Sequence, residues 1–145
     1  MTILNTQTSQ QPNKNILKDD ALEQGLAYCA QHHPHLKQAI SERYDELVPD
    51  MSDSLIEWAY GRHYSREGLD ARTRQLATLA ALTALGGQTA PQLKVNIEHS
   101  LAVGATRREI TEVIWQMAVY GGLPAAINGL NAAQEIFDAL DNAPI

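Results

Sequence analysis

Apolar residues recur at three- and four-residue spacing through most of this 145-residue chain, and no stretch keeps the two-residue alternation of a strand. That period predicts an all-α fold. Asp19 or Asp20 can cap a first helix whose Leu22, Leu26 and Cys29 share a face and which ends before His32 and His33. Pro34 suits the opening of a second, with Leu36, Ile40, Tyr44 and Leu47 in its stripe before Pro49. A third starts near Ser52, turns Leu55, Ile56, Ala59 and Tyr60 inward, and breaks down between Tyr64 and Gly68. Asp70 caps a fourth, alanine-rich helix carrying Leu76, Leu79, Ala80 and Thr83, which Gly86 and Gly87 stop.

The next signals are sharper. Thr89 and Gln92 have the spacing of a capping box with Pro91 inside, so a fifth helix should run through Val103 and end at Gly104. Thr106 and Glu109 repeat that spacing, and Ile110, Val113, Ile114, Met117 and Ala118 follow as the buried stripe of a sixth helix closed by Gly121 and Gly122. Pro124 then opens a seventh, with Ala126, Leu130, Ala133, Phe137 and Leu140 on one face. The reading is a single-domain bundle of about six to seven helices over residues 17–145. Residues 1–16, rich in Gln, Asn and Thr, lack the apolar groups to offset ordering entropy and are expected to be a disordered tail.

Composition narrows the function classes. With 44% apolar and 19% charged residues the chain can bury one core, and a formal net charge of −6 argues against a nucleic-acid binder, which needs a basic face. The N-terminus lacks a leader pattern and the longest apolar run, 76–85, is too short for a bilayer, so neither targeting nor membrane anchoring is expected. Cys29 is the lone cysteine, which excludes an intrachain disulfide and suits a reducing cytosol.

Candidate chemistry gathers on the fifth helix. His99 lies between two apolar stripes, and Asn96, three residues earlier, is about 60° away around the helix, so both side chains can face one cavity. Taken alone, His99 reads more readily as a hydrogen-bonded core histidine than as a catalyst. Glu98 is either a catalytic carboxylate or a solvated partner of Lys94. Arg72 and Arg74 begin the fourth helix, where the helix dipole favours anions, so an anion site or a subunit salt bridge is expected for one of them, or else pairing with Asp70 or Glu67. Trp58, Tyr60, His63 and Tyr64 form an aromatic-polar group, and Tyr120 stands at the Gly-Gly turn, each a core or a pocket-lining position. His32, His33 and His35 have no acidic or cysteine partner nearby in sequence, and no metal site is expected. Phosphate-loop, nucleophile-elbow and C-x-x-C signatures are lacking.

From Trp58 to Leu140 the chain resembles the carboxymuconolactone decarboxylase-like family, which also holds the alkylhydroperoxidase D-type proteins. The carriers are Glu57-Trp58-Ala59-Tyr60-Gly61, Gly68-Leu69-Asp70-Ala71-Arg72-Thr73-Arg74, Gln92-Leu93-Lys94, Gly104-Ala105-Thr106, Glu109-Ile110, Glu112-Val113-Ile114 and Tyr120-Gly121-Gly122-Leu123-Pro124-Ala125. The resemblance implies an all-helical fold whose protomers intertwine as trimers or as hexamers built from three dimers. Its peroxidase branch carries C-x-x-C-x-x-x-H, whose positions fall here on Thr89, Gln92 and Asn96, so the thiol pair that peroxide chemistry requires is missing. Its decarboxylase branch needs no cysteine. That reaction removes CO₂ from a carbon conjugated to a lactone carbonyl, and it wants a donor at the developing oxyanion and a proton for carbon. The family histidine is asparagine here, and His99 one turn on can supply the proton. The expectation is a cofactor-independent lyase for a small anionic, carboxylated lactone: His99 and Asn96 catalytic, Arg72 or Arg74 on the carboxylate, and Trp58, Tyr120 and Glu98 lining the site. A non-catalytic helical oligomer binding a small ligand or partner is the alternative, and a thiol peroxidase a weaker one.

Overall fold

In a computed structural model, which describes residues 20–145, the chain forms seven helices and, among the described residues, no strand. They are α1 (Ala21–His32), α2 (Leu36–Tyr44), α3 (Met51–Leu55), α4 (Ala71–Leu85), α5 (Ala90–Ala102), α6 (Arg107–Gly121) and α7 (Leu123–Asp141). The expected tail over 1–16 lies outside the described residues. Two caps form as the spacing dictates. Asp70 Oδ1 accepts from the Thr73 amide at 2.7 Å, and Thr106 and Glu109 exchange both bonds of a capping box. Gly86 (φ 105°, ψ −175°) and Gly122 (φ 95°, ψ 152°) end α4 and α6, in the extended positive-φ region open to glycine.

Several boundary signals resolve differently. Thr89 makes no cap with its side chain, because its hydroxyl donates back to the Leu82 and Gly86 carbonyls and closes a 3₁₀ turn, Gly87–Thr89, ahead of α5. Asp20 stands at the N-cap of α1, but its carboxylate takes the Gln24 amide instead of a backbone N–H. Pro34 precedes α2 by two residues. Asp45 does what no sequence pattern announced: its carboxylate accepts from the Ser52 amide and hydroxyl at 2.8 and 2.6 Å, tying the end of α2 to the first turn of α3.

The third helix does not end at Leu55. It continues as a nine-residue π-helix, Ile56–Tyr64, against which α1 packs. Glycines set that crossing. A Cβ on Gly61 would lie 2.7 Å from the Ala21 carbonyl carbon, and one on Gly25 would meet Ile56 Cγ2 at 2.9 Å. No side chain larger than hydrogen fits either place.

Two apolar clusters result. Leu79, Leu93, Ile97, Ile110, Ile114, Ala133 and Phe137 join α4 to α7, while Cys29, Ile56 and Tyr60 join α1 to the π-helix. Polar contacts cross the seam between them. Tyr64 Oη and Thr78 Oγ1 share a hydrogen bond of 2.6 Å, and the Arg74 guanidinium donates to the carbonyls of Arg66, Glu67 and Leu69. The seam is where α5 presents His99.

Candidate functional site

His99 meets a partner that its own helix does not supply. At the C-terminal end of α1 the His33 backbone N–H still bonds to the Cys29 carbonyl, at 2.7 Å, and this last bond turns the His33 ring into the seam. There it stacks on the His99 imidazole, with centroids 3.9 Å apart and planes 23° from parallel. His33 is 5% exposed and His99 partly so, yet His33 Nε2 and His99 Nδ1 are both buried without a hydrogen-bond partner. An unpaired buried polar nitrogen costs about 1–3 kcal/mol. The packing tolerates two side by side.

Burial accounts for their protonation. Desolvation pulls both imidazoles down from 6.5 to about 4, and His33 is held down further by the neighbouring His99 and His32 rings. Both are therefore neutral at pH 7. Around them lies an aromatic shell: Tyr28 sits 6.1 Å from His33 and 5.8 Å from Tyr60, centroid to centroid. Burial raises the Tyr28 hydroxyl to about 12, so it stays protonated, and it too lacks a partner.

Asn96 is oriented, not free. Its Nδ2 donates to the Gln92 carbonyl at 2.8 Å, and its Oδ1 accepts from Gln75 Nε2 at 3.1 Å. Gln75, on α4, is fully buried, and its Oε1 is left unpartnered. Tyr28 and Gln75 carry no motif in the sequence, and His33 is weighed there only as a metal ligand. Gln75 carried a signal all the same, since it lies four residues before Leu79 and eight before Thr83 on the buried stripe of α4.

The remaining candidates lie elsewhere. Arg72 forms an ion pair with Glu109, the capping-box carboxylate of α6, and Arg74 spends its donors on backbone carbonyls; neither pairs with the Asp70 or Glu67 carboxylate. Glu98 is exposed, and Lys94 pairs with Glu135 rather than with it. Trp58 is 65% exposed and packs edge-on against His63, and Tyr120 is 77% exposed. A cleft of about 690 Å³ opens between α1 and the π-helix, walled by Tyr28, His32, Arg62, Tyr64 and Arg66, but neither His99 nor Asn96 lines it. Among the described residues no His, Cys, Asp and Glu cluster could hold a metal ion, and no helix is long and apolar enough to cross a membrane.

The model of the Carboxymuconolactone decarboxylase family matches residues 49–135. The chain belongs to this family. Among relatives, it is 39% identical over 116 residues to an uncharacterized 15.0 kDa protein in the nqo9-nqo10 intergenic region of Paracoccus denitrificans, covering 80% of this chain and 87% of that one. It is 32% identical over 110 residues to the 4-carboxymuconolactone decarboxylase of Acinetobacter baylyi, at 76% and 80% coverage. A nitrosuccinic acid decarboxylase of Metarhizium robertsii is 33% identical over 88 residues, 60% of each chain. The family thus includes decarboxylases with different acid substrates. Within it, this carboxymuconolactone decarboxylase-family member has one cysteine, buried, whose thiol burial pushes up to about 11, and a thiol held protonated is a poor nucleophile.

Proposed function

We propose that this protein is a cofactor-independent decarboxylase acting on a small carboxylated lactone of the 4-carboxymuconolactone type, with His99 as its reacting side chain. The observation that carries the reading is the His99 imidazole, partly exposed, neutral, and set one helical turn from an asparagine that Gln75 holds in place. Loss of CO₂ sends the C–C bonding pair through the double bond onto the lactone oxygen, and a proton then adds to carbon. A neutral imidazole N–H, pre-set in a poorly solvated seam, stabilises that oxyanion without reorganising. Its low basicity favours hydrogen-bond donation over service as a resting imidazolium acid, so the proton added to carbon is drawn from solvent. The named relatives, acting on 4-carboxymuconolactone and on nitrosuccinic acid, support the reaction class.

Asn96 orients the substrate in this reading. The carboxylate role considered for Arg72 requires exchange of Glu109 for substrate, and that for Arg74 requires release of the 66–69 turn. Turnover of 4-carboxymuconolactone is the test. His99→Ala is expected to lower kcat/KM by about 10²–10³, the usual cost of one oxyanion donor. Equal rates would remove His99 from the mechanism, and no turnover of this or related lactones by the parent would remove the reaction. The engagement of Arg72 with Glu109 and of Arg74 with backbone carbonyls favours the second reading, a helical oligomer that binds a small ligand or partner without converting it.

Self-association as a trimer or hexamer belongs to the same proposal. Trp115, Val119, Tyr120, Leu123 and Ile127 leave an apolar stripe, each 46% exposed or more, along the end of α6 and the start of α7. Light scattering at micromolar concentration should give three or six times the chain mass, and Val119→Glu should reduce it. A monomeric parent would rule the assembly out.

A further inference from the structure

Three groups stand outside the chemistry above: the cleft between α1 and the π-helix, the exposed stripe of α6 and α7, and the buried His33 ring. His33 has the firmest geometry. A ring lying 3.9 Å over another, with planes 23° apart, covers one whole face of the His99 imidazole. His33 itself has no hydrogen bond through Nε2 to account for its burial, and the bond from its amide to Cys29 fixes its backbone at the end of α1. The packing has placed an imidazole where an apolar ring would lose nothing in partners.

We propose that His33 is the positioning residue for His99: its flat ring fixes the plane of the His99 imidazole and keeps water away from Nδ1. The proposal rests on the reading that His99 is the reacting group. It adds a role for α1, which the family match, beginning at residue 49, does not cover. Through His33, the end of the first helix restrains the plane of the His99 imidazole.

Groups facing the pair come from α1 and the π-helix. On α1 these are Tyr28 and His32, with centroids 6.1 and 6.2 Å from that of His33, and on the π-helix Tyr60 at 6.0 Å; Cys29 and Tyr64 belong to the same apolar cluster. Burial raises both tyrosines of the π-helix, Tyr28 and Cys29, so all four stay uncharged across the acid range. No buried carboxylate among these groups supports a protonated imidazole.

Nitrogen-15 NMR titration of the histidines in the full chain tests this without turnover, beside pH profiles of kcat and KM. In the parent, His99 should stay neutral until about pH 4. His33→Phe keeps a flat apolar face, so the same titration and a rate within about threefold are expected. His33→Ala opens the face to water, and the His99 midpoint should climb toward 6.5, with kcat lower by about tenfold and KM within about threefold. A folded His33→Ala whose His99 still titrates near 4 in its original tautomer overturns the proposal. So does His33→Phe with a His99 titration like that of free histidine, which decides the matter if the alanine variant does not fold. A parent that turns over no lactone sinks the decarboxylase reading and leaves the titration standing.

Discussion

Gly61→Ala should cost the protein about 3 kcal/mol or more and lower its melting temperature by roughly 10 °C, the largest effect expected of any single methyl group here. The added carbon would sit 2.7 Å from the Ala21 carbonyl carbon, and 3.2 Å from its Cα. Backbone cannot rotate out of the way as a side chain can. Either α1 backs off or the π-helix rewinds, and both movements disturb Tyr28 and the end of α1, where His33 is held. Loss of stability should therefore come with loss of the stacked His33–His99 contact. Thermal melts and urea midpoints measure the first, and the His99 titration measures the second. A melting temperature within about 3 °C of the parent would show that the α1 crossing has slack, and that the glycine is not what sets it.

The helices from α4 to α7 were legible because their ends carry chemistry in the sequence itself. Asp70, Thr106 with Glu109, and the glycines at 86, 104 and 122 act within a few residues, so spacing alone reveals them. Thr89 shows the limit of that logic. A T-x-x-Q spacing is also compatible with a hydroxyl turned back to the end of the preceding helix, where it donates to the Leu82 and Gly86 carbonyls. The π-helix was beyond reach for a related reason: it packs on α1 at Gly25 and Gly61, a contact between segments more than thirty residues apart.

The site follows the same division. His99 and Asn96 could be paired by helix geometry because they share α5. His33 reached His99 across sixty-six positions, and the local reading of His32, His33 and His35 weighed only metal ligation. Arg72 and Arg74 looked misplaced at a helix start, yet each is explained by structure that the local sequence does not display, a carboxylate on α6 for one and a loop of carbonyls for the other. The chemistry that remains is what lacks a structural explanation. His99 Nδ1, His33 Nε2, Tyr28 Oη and Gln75 Oε1 are polar atoms in or beside the seam that no described residue satisfies. Unsatisfied buried atoms of this kind are selected against in a merely structural core.

Those two imidazoles also set the acid limit of the fold. Each has a folded value near 4 against 6.5 for the exposed group, so the native state favours the neutral ring. Above about pH 6.5 neither state binds the proton and the pair has no effect on pH dependence. As pH falls from 6.5 toward 4 the unfolded chain takes up two protons that the folded chain refuses, and stability declines. At pH 5 the loss is about 2 kcal/mol for each ring, about 4 kcal/mol for both. Carboxylates act later. Asp45, Asp70 and Asp141 are lowered, chiefly by hydrogen bonds from Ser52, Thr73 and Arg107, so their contribution persists until pH falls below the ordinary carboxylate range. Urea midpoints should therefore drop between pH 7.5 and 5, before Asp45, Asp70 or Asp141 titrates. His33→Phe removes one of the two rings and should remove about half of that slope. Parallel pH dependence in the two proteins would mean that His33 accepts its proton in the native state as readily as in water, and that the seam is wet.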